Sequence, residues 1–365
     1  MNKNNHAIIM AGGVGSRFWP WSKKSMPKQF LDVLNTGKTL IQQTYERINR
    51  ICPKENILII TNQLYSDIIA QQLPDLPEEN ILSEPKGRNT APCIAYGAFK
   101  IKKKDPEACI IVAPSDHVIL KDDLYTTVVH EGFSYAAEND VLITIGIKPH
   151  KPETGYGYIH SVGDTIAGKE GNWHLSSVSR FTEKPDVDTA RKFLESGDYF
   201  WNAGIFIWSA DSIISALQSH LPGLYKQFDQ FEDSFNTDEE PEAISSIYDV
   251  CDNISIDYGV MEKAKNVKVI STDIGWSDLG SWSSIQELSD QDEAGNTTFS
   301  ANHLFYDSEN CILKTRDGKV AVIEGLKDYI IVDEENALMI CRKENEQRIK
   351  QFVKDVGNKF GEEYV

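Results

Sequence analysis

The chain has 365 residues, 41% of them hydrophobic and 25% charged, with a formal net charge of −18. This length exceeds what one hydrophobic core usually fills, so we expect two domains of an ordinary globular protein. The charge argues against binding to nucleic acid or to an anionic membrane surface, and no apolar run approaches the roughly 18 residues of a membrane span.

The cysteines and the N-terminus predict a cytoplasmic protein. Six cysteines are scattered without a C-x-x-C pair, so neither a disulfide framework nor a zinc site is expected. The N-terminal MNKNNH leads straight into the first predicted strand, which leaves no room for a signal peptide. A reducing cytoplasm is the natural compartment.

The first predicted element is a buried strand, residues 7–11, that ends in the glycine-rich stretch 12–15. Glycines let the backbone approach a ligand closely, successive N–H groups form an anion nest, and Arg17 and Lys28 add positive charge for a polyphosphate. Neither a Walker loop nor a dinucleotide fingerprint fits, because no Gly-Lys-Ser/Thr occurs and Phe18 stands at the third glycine position. A plain surface turn is the alternative, but it needs no such combination.

Strand-like and helix-like runs then alternate up to residue 149. This order predicts βαβ units and a Rossmann-like, mostly parallel α/β sheet, with ligands beyond the carboxyl ends of its strands. The expected helices are 39–51, 66–73 and one following a polar turn within 80–104, and the expected strands include 56–61, 108–119 and 141–149.

From residue 150 the pattern changes to one of antiparallel strands and helices. Strands are expected at 155–159, 175–185, 203–210 and 267–273, and helical segments at 186–196, 211–248 and 255–264. The polar segment 289–298 marks a domain boundary, which predicts a catalytic domain 1–288 and a small β-rich domain 289–365 with a terminal helix at 345–357.

Eight motifs occur in a fixed order along the chain. They stand at 12–30 (GGVGSRFWPWSKKSMPKQF), 84–92 (EPKGRNTAP), 114–117 (PSDH), 155–159 (GYGYI), 183–185 (EKP), 201–206 (WNAGIF), 255–263 (SIDYGVMEK) and 276–282 (WSDLGSW). With them the chain resembles, over essentially its whole length, the mannose-1-phosphate guanylyltransferases (GDP-mannose pyrophosphorylases) of the short, monofunctional bacterial type, in the sugar-nucleotidyltransferase family. Phe18, Thr182 and Gly259 depart from the more usual leucine, valine and alanine without removing a reactive group.

The resemblance implies the reaction GTP plus α-D-mannose 1-phosphate giving GDP-mannose and diphosphate, by in-line attack of the sugar phosphate oxygen on the α-phosphorus. That nucleophile is already an anion, so the site must align two anions and neutralise the leaving diphosphate. The resemblance also implies a left-handed β-helix-like C-terminal domain and a homodimer. Because the chain stops at residue 365, we expect the isomerase domain of the long relatives to be absent.

The resemblance assigns the phosphate and metal ligands. Arg17 and Lys28 are expected to hold the triphosphate, although solvated surface charges are the alternative. Asp116 and Asp278 suit Mg²⁺, with other divalent cations possible; a helix cap and a turn carboxylate are the alternatives. The expected catalytic residues are Arg17, Lys28, Asp116 and Lys184.

The sugar phosphate is assigned to a second group. Lys184 would neutralise the phosphate, Glu183 and Asn202 would meet the sugar hydroxyls, and Gly157 would offer its backbone N–H. Asp257 would either touch the sugar or cap its own helix.

The Glu84–Thr90 turn is expected to meet guanine. A carboxylate can accept from N1–H and N2–H, so unpaired polar groups would penalise the wrong base; which residue touches the base stays open, and a structural Arg88 is an alternative. The expected nucleotide-binding set is Ala11, Gly12, Gly13, Gly15, Ser16, Arg17, Lys28, Glu84, Arg88, Asn89, Thr90, Ser115 and Asp116.

Two rival functions remain. One is another sugar-1-phosphate nucleotidyltransferase, which uses dTTP or UTP with glucose 1-phosphate. The other is an inactive regulatory subunit that binds a nucleotide sugar.

Overall fold

The computed structural model describes residues 2–168 and 171–365, apart from the side chain of Asp164. The described chain forms two compact units. The first unit takes in the chain up to Gly12, Thr44–Ser115 and Ile119–Trp276, and the second takes in Gly13–Gln43, Asp116–Val118 and Ser277–Val365. This division follows proximity in space rather than chain order, and the domains 1–288 and 289–365 stay a prediction.

The strands lie close to the predicted positions in the regions of strong periodicity. In chain order they are β1 Asn5–Ala11, β2 Ile57–Asn62, β3 Ile81–Glu84, β4 Cys109–Pro114, β5 Val118–Ile119, β6 Leu142–Ile147, β7 Gly157–Ala167, β8 Trp173–Glu183, β9 Tyr199–Ser209, β10 Val267–Thr272, β11 Trp276–Ser277, β12 Thr297–Thr298, β13 Asn302–Tyr306, β14 Ile312–Thr315, β15 Val320–Glu324, β16 Tyr329–Asp333 and β17 Leu338–Arg342.

Helical structure lies within each predicted helical segment, although 211–248 is divided among three helices and 345–357 begins with a 3₁₀ turn. They are α1 Leu40–Asn49, α2 Ser66–Gln72, α3 Thr90–Lys104, α4 Asp122–Glu138, α5 Val187–Ser196, α6 Ala210–His220, α7 Pro222–Asp229, α8 Glu240–Val250, α9 Trp282–Glu287 and α10 Ile349–Phe360. Short 3₁₀ turns include Ser16–Phe18, Lys28–Phe30 and Lys343–Arg348, and Asp257–Met261 forms a π-helical turn. Among the described residues, none of these helices combines the length and apolar character that crossing a bilayer would demand.

The first unit is built on a nine-stranded sheet of order β3-β2-β1-β4-β9-β6-β10-β8-β7. Strands β1 to β4 pair in parallel, as do β6 and β10, whereas β9 runs antiparallel to both β4 and β6. Its central strands are buried on both faces, which is typical of a sheet covered by helices. Helix α3 approaches so closely that a Cβ on Gly97 would lie 2.4 Å from Ile8 Cδ1. The α/β fold class is confirmed.

The parallel half of this sheet positions one group of candidate residues. Because β1, β3 and β4 point the same way, their carboxyl ends lie at one edge of the sheet. Ala11, Glu84 and Ser115 stand at or directly after these ends. The predicted nucleotide residues of the first unit therefore gather at this edge.

The second unit contains two small sheets made largely of parallel strands. One has the order β12-β14-β16-β17, parallel up to β16, and the other pairs β13 with β15 in parallel. The chain alternates between the two sheets from β12 to β16, which is the pattern of a β-helix. Its core joins residues distant in the chain, such as Phe18, Trp282 and Ile330. The 3₁₀ turn that follows the glycine-rich stretch is thereby anchored in the same core as the C-terminal strands.

Candidate active site

The predicted site residues fall into two groups, one in each unit. The second unit holds Gly13, Gly15, Ser16, Arg17, Lys28, Asp116 and Asp278, and the first holds Ala11, Gly12, Glu84, Arg88, Asn89, Thr90, Ser115, Gly157, Glu183, Lys184, Asn202 and Asp257.

Lys28 is the centre of the group in the second unit. It is only 4% exposed, and its ammonium donates to the backbone oxygens of Asp278 at 2.8 Å and Leu279 at 3.1 Å. It also pairs with Asp116 Oδ2 at 2.9 Å. A lysine ammonium has three donors, so all of them are engaged within the protein. In this arrangement Lys28 holds Asp116 beside the Asp278 loop, and contact with phosphate stays a prediction.

Asp116 is kept ionised by that lysine. Burial would raise the pKa of Asp116, but the charges of Lys28 and His117 and the hydrogen bond from Lys28 outweigh burial and lower it. Its carboxylate is 30% exposed, so one side remains open to a ligand.

Two carboxylates make up the candidate metal ligands. Asp278 Oδ1 accepts from the backbone N–H of Gly280 at 2.9 Å, which fixes its rotamer. No three His, Cys, Asp or Glu side chains converge as a cation site among residues 2–168 and 171–365. Hard carboxylate oxygens nevertheless fit Mg²⁺, which usually takes one or two protein carboxylates together with phosphate oxygens and water.

The glycine-rich loop is held by buried side chains. Gln29 donates to the carbonyl of Gly13 at 2.9 Å, and Ser22 donates to that of Val14 at 2.7 Å. Gly15 has a φ of +67°, and a Cβ there would lie 2.6 Å from Lys28 Cβ, so the fold itself requires glycine. A Cβ added to Gly13 would meet no atom within 4 Å. Packing within the protein therefore does not require glycine at position 13.

Arg17 is partly committed within the second unit. Its Nη1 donates to the carbonyl of Gly280 at 3.2 Å, and its Nε donates to Gln347 Oε1 at 3.1 Å. The indole of Trp282 donates to the Arg17 carbonyl at 3.1 Å, which fixes the backbone. Its Nη2 has no protein partner in the described part of the chain. The guanidinium is thus aimed by the protein and keeps donors for an anion.

The first unit contains a buried polar network around Asn202. The Asn202 amide donates to Asp257 Oδ1 at 2.9 Å, and its oxygen accepts from Thr144 at 2.8 Å. Asp257 does not cap its helix, because the N-cap of that turn is Ile256 and no side chain bonds there. Burial, reinforced by the charge of Glu183, raises the pKa of Asp257 to about 7. Asp257 therefore keeps its proton to a higher pH than an exposed aspartate does.

Glu183 offers an unsatisfied acceptor beside this network. Its Oε1 accepts from Lys184, while Oε2 is buried with no hydrogen-bond partner among the described residues. A Cβ on Gly157 would lie 2.5 Å from that Oε2, so only glycine leaves it room. A buried carboxylate oxygen without a partner is costly, and a ligand hydroxyl would remove the cost.

Lys184 is held in an unusual backbone conformation. Its φ is +48°, and its N–H donates to the Tyr156 carbonyl at 3.1 Å. A non-glycine residue in this region is strained, and such strain concentrates at ligand sites. Burial would lower the pKa of Lys184, but Glu183 and Asp257 raise it overall. The lysine is therefore cationic.

The turn after β3 contains Glu84 as its candidate base reader. Glu84 is 7% exposed, and Tyr248 donates to its Oε1 at 2.8 Å. Burial raises the pKa of Glu84 to about 7, against the lowering effect of that hydrogen bond. The other oxygen, Oε2, would lie 3.8 Å from a Cβ added to Gly12. It therefore faces the backbone of Gly12.

The other residues of this turn make structural contacts. Arg88 donates to the carbonyls of Tyr248 and Asp249 at the end of α8. Asn89 Oδ1 accepts from the first backbone N–H of α3, and the Thr90 hydroxyl accepts from the backbone N–H of Ile256. The structural alternative for Arg88 thus has direct contacts in its favour.

Sequence reasoning missed three residues that orient the candidate site. Gln29 lies next to Lys28 in the PKQF motif, and that position could have suggested its role. Tyr248 and Thr144 had no such signal, because Tyr248 is 164 residues from Glu84 and Thr144 is 58 from Asn202.

A separate cavity of about 670 Å³ lies elsewhere in the first unit. Its lining includes Asn56, Asn80 and Lys100 and none of the predicted site residues. Asn56 and Asn80 precede β2 and β3, so this cavity lies at the opposite strand ends from Glu84.

Comparison with known proteins places the chain among nucleotidyl transferases. Residues 6–295 match the family described as nucleotidyl transferase, and residues 301–356 match the MannoseP isomerase/GMP-like beta-helix domain. The mannose-1-phosphate guanylyltransferase of Salmonella montevideo is 38% identical over 353 residues, which cover 96% of this chain and 73% of that protein.

Two further matches have similar coverage of the chain. The alginate biosynthesis protein AlgA of Pseudomonas syringae pv. tomato is 38% identical over 349 residues, covering 95% of this chain and 70% of its own length. A crystal structure from Thermus thermophilus, described as a mannose-1-phosphate geranyltransferase, superposes with a TM-score of 0.85 at 28% identity, covering 97% of this chain and 99% of that one.

Proposed function

The chain belongs to the nucleotidyl transferase family, in the group of mannose-1-phosphate guanylyltransferases, and we propose that it converts GTP and α-D-mannose 1-phosphate into GDP-mannose and diphosphate. The observation that carries this choice of substrates is the 38% identity, over 96% of the chain, to a relative of that name. Each group of candidate residues supports it separately, because the first unit offers acceptors for a sugar and the second offers cations for a polyphosphate. GDP-mannose biosynthesis is the corresponding cellular role.

The reaction needs no protein nucleophile. A phosphate oxygen of mannose 1-phosphate attacks the α-phosphorus, and the bond to the leaving diphosphate breaks on the opposite side. Lys184 binds the sugar phosphate, while Glu183 Oε2 and Asp257 accept from sugar hydroxyls. Arg17 donates to the departing diphosphate. The rate enhancement then comes from alignment and charge neutralisation.

We assign the metal to Asp116 and Asp278 and its identity to Mg²⁺, with other divalent cations as substitutes. When bound, the ion would supply positive charge to the phosphate oxygens. Lys28 holds both ligands close to each other, because it contacts the Asp116 carboxylate and the backbone carbonyl of Asp278.

Guanine recognition is assigned to Glu84. Its carboxylate is fixed by Tyr248, and an ionised carboxylate can accept from both N1–H and N2–H of guanine. Adenine lacks both donors and would leave a buried acceptor unpaired, which is a strong basis for rejection.

We place the enzyme in the cytoplasm, with no nucleic acid or membrane partner. All six cysteines are free and buried, which fits a reducing compartment. The net charge of −18 disfavours polyanionic partners. Fractionation of cells that express a tagged chain tests the location, and a membrane-bound majority would contradict it.

We also propose a homodimer, supported by an apolar face in the second unit. Leu304, Val320 and Val322 on the paired strands β13 and β15 are 52%, 69% and 58% exposed. Exposed apolar patches of this kind are typical of protein interfaces. Light scattering after gel filtration should give twice the 41.1 kDa chain mass, and Val322→Lys should shift it towards the monomer. A monomeric wild type would contradict this assignment.

A matrix of nucleotides and sugar phosphates tests the function. Diphosphate release is measured for GTP, UTP and dTTP, each with mannose 1-phosphate and with glucose 1-phosphate. We expect the highest kcat/KM for GTP with mannose 1-phosphate. Preference for UTP or dTTP with glucose 1-phosphate would establish the rival transferase, and no turnover with any pair would contradict the proposed activity.

A further inference from the structure

The helical segment made of residues 343–360 packs beside the candidate phosphate-binding residue Arg17 in the second unit. The 3₁₀ turn Lys343–Arg348 continues directly into α10 at Ile349, and α10 packs on the 3₁₀ turn Ser16–Phe18 of the glycine-rich loop. Glu346 accepts from both the N–H and the hydroxyl of Ser283, which follows the Asp278 loop. This segment is thus fixed to both loops that contain candidate phosphate and metal ligands.

Gln347 and Lys350 form the part of this segment that faces Arg17. Gln347 Oε1 accepts from Arg17 Nε at 3.1 Å. Lys350 follows three residues later, and residues at this spacing lie on the same helix face. Lys350 therefore lies on the side of this segment that packs near Arg17.

The electrostatics agree with that placement. The charge of Arg17 is the largest cause of the lowered pKa of Lys350, followed by burial. Glu346, the nearby carboxylate on the same segment, is committed to Ser283. Among the residues that the structure describes, Lys350 has neither a hydrogen bond nor an ion pair. Two cations are therefore neighbours without a protein anion to compensate them.

We propose that Lys350 and Arg17 together bind the two terminal phosphates of the nucleoside triphosphate, which leave as diphosphate. The inference rests on the proposed function and adds a substrate-binding residue from the C-terminal segment. Neighbouring like charges are unfavourable, and a polyanion removes that repulsion. The arginine fork and the lysine point charge are complementary donors for phosphate oxygens. Gln347 acts as a positioning residue, because it directs Arg17 without a charge of its own.

The test compares Lys350→Gln with Lys354→Gln. Lys354 lies one further turn along the same exposed face of α10, so the control removes the same charge at a greater distance from Arg17. For Lys350→Gln we expect the KM for diphosphate, measured in the reverse reaction, and the KM for GTP to rise about tenfold. The KM for mannose 1-phosphate should stay near the wild-type value, and Lys350→Arg should restore both affected constants.

Equal behaviour of the two glutamine variants would overturn the inference, as would an equal rise in all three KM values. Calorimetric titration of inorganic diphosphate with Mg²⁺ provides a readout that does not require turnover. Weaker binding to Lys350→Gln than to Lys354→Gln supports the inference even if the wild type fails to use GTP and mannose 1-phosphate. That second result would contradict the proposed function alone.

Discussion

Lys28 shows that the structure can give a residue contacts that the sequence does not suggest. A lysine beside a glycine loop suggests a phosphate ligand, yet its three donors are bound to Asp116 and to two backbone oxygens. These bonds stabilise the fold, because an unpaired cation at this buried position would be strongly destabilising. Lys28 thereby positions the candidate metal ligands, and its contact with phosphate stays a prediction.

Asp116 is expected to matter for both turnover and stability. Asp116→Asn removes a metal ligand and the charge opposite Lys28, so kcat should fall by about a hundredfold or more. The free energy of unfolding should fall by about 2 kcal/mol, since the buried ammonium of Lys28 loses its charged acceptor. Diphosphate release and urea unfolding measure the two effects.

Asp123→Asn is the matched control for this change. Asp123 is fully exposed, and its ion pair with Arg50 is long, at 3.9 Å. It should alter neither quantity. Full Mg²⁺-dependent turnover by Asp116→Asn would show that Asp116 is not a metal ligand.

Asp257 should make stability depend on pH. Burial raises its pKa from 3.8 to about 7 in the folded protein, so the folded state binds this proton more tightly than the unfolded state does. The stabilisation is complete below the unfolded value and is lost as the pH rises to about 7. Asp257→Asn should therefore lose less thermal stability than the wild type between about pH 5 and about pH 8.

Glu84 also makes stability fall as the pH rises, since burial raises its pKa to about 7. Its contribution is the same in the wild type and in Asp257→Asn, so it cancels when their slopes are compared. Asp252→Asn, at an exposed position nearby, should retain the wild-type slope. An unchanged slope for Asp257→Asn would mean that Asp257 is ionised throughout this range.

At the scale of elements, the hairpin of β7 and β8 shapes the sugar group. Gly157 begins β7 opposite Glu183 at the end of β8, and its missing side chain leaves room for Glu183 Oε2. Gly157→Ala would bring a Cβ to 2.5 Å from that oxygen and 3.3 Å from Asn202 Cβ. We expect the KM for mannose 1-phosphate to rise by about tenfold to a hundredfold, since small displacements of binding groups are costly.

Gly155→Ala is the control in the same motif, because its nearest atom would be Glu153 Oε1 at an ordinary 3.5 Å. Initial rates at varied mannose 1-phosphate and saturating GTP separate the two variants. If both leave the KM for mannose 1-phosphate unchanged, Glu183 does not contact the sugar.

The elements that sequence predicts well are those with a local cause. Residues 267–273 and 186–196 were expected as a strand and a helix, and the structure has Val267–Thr272 and Val187–Ser196. Apolar periodicity and a capping Asp186 are sufficient for them. The antiparallel insertion of β9 between β4 and β6 has no local signal, because strand pairing depends on contacts between distant segments.

The same distinction holds within the candidate site. Motifs identify the residue types, including Glu183, Lys184 and Asp278, because spacing along the chain is visible. The partners that orient them are not visible in this way. Arg17 reaches Gln347, 330 residues later, and the motif containing Arg17 gives no indication of that contact.

At the scale of the whole molecule, the negative charge makes local cations the decisive feature for anionic substrates. A net charge of −18 repels both GTP and mannose 1-phosphate at long range. Arg17 and Lys184 act against that field at short range, where screening is weaker in partly buried sites.

The chain also spans about 70% of the length of the guanylyltransferase and AlgA relatives described above.

An isotope experiment tests the proposed attack on the α-phosphorus, because it follows the oxygen atoms. The protein is incubated with GTP, Mg²⁺ and mannose 1-phosphate labelled with ¹⁸O in its phosphate, and the masses of the products are measured by mass spectrometry. Attack of the sugar phosphate on the α-phosphorus predicts that all the label appears in GDP-mannose and none in diphosphate. Label in diphosphate, or no GDP-mannose at all, would contradict attack of the sugar phosphate on the α-phosphorus of GTP.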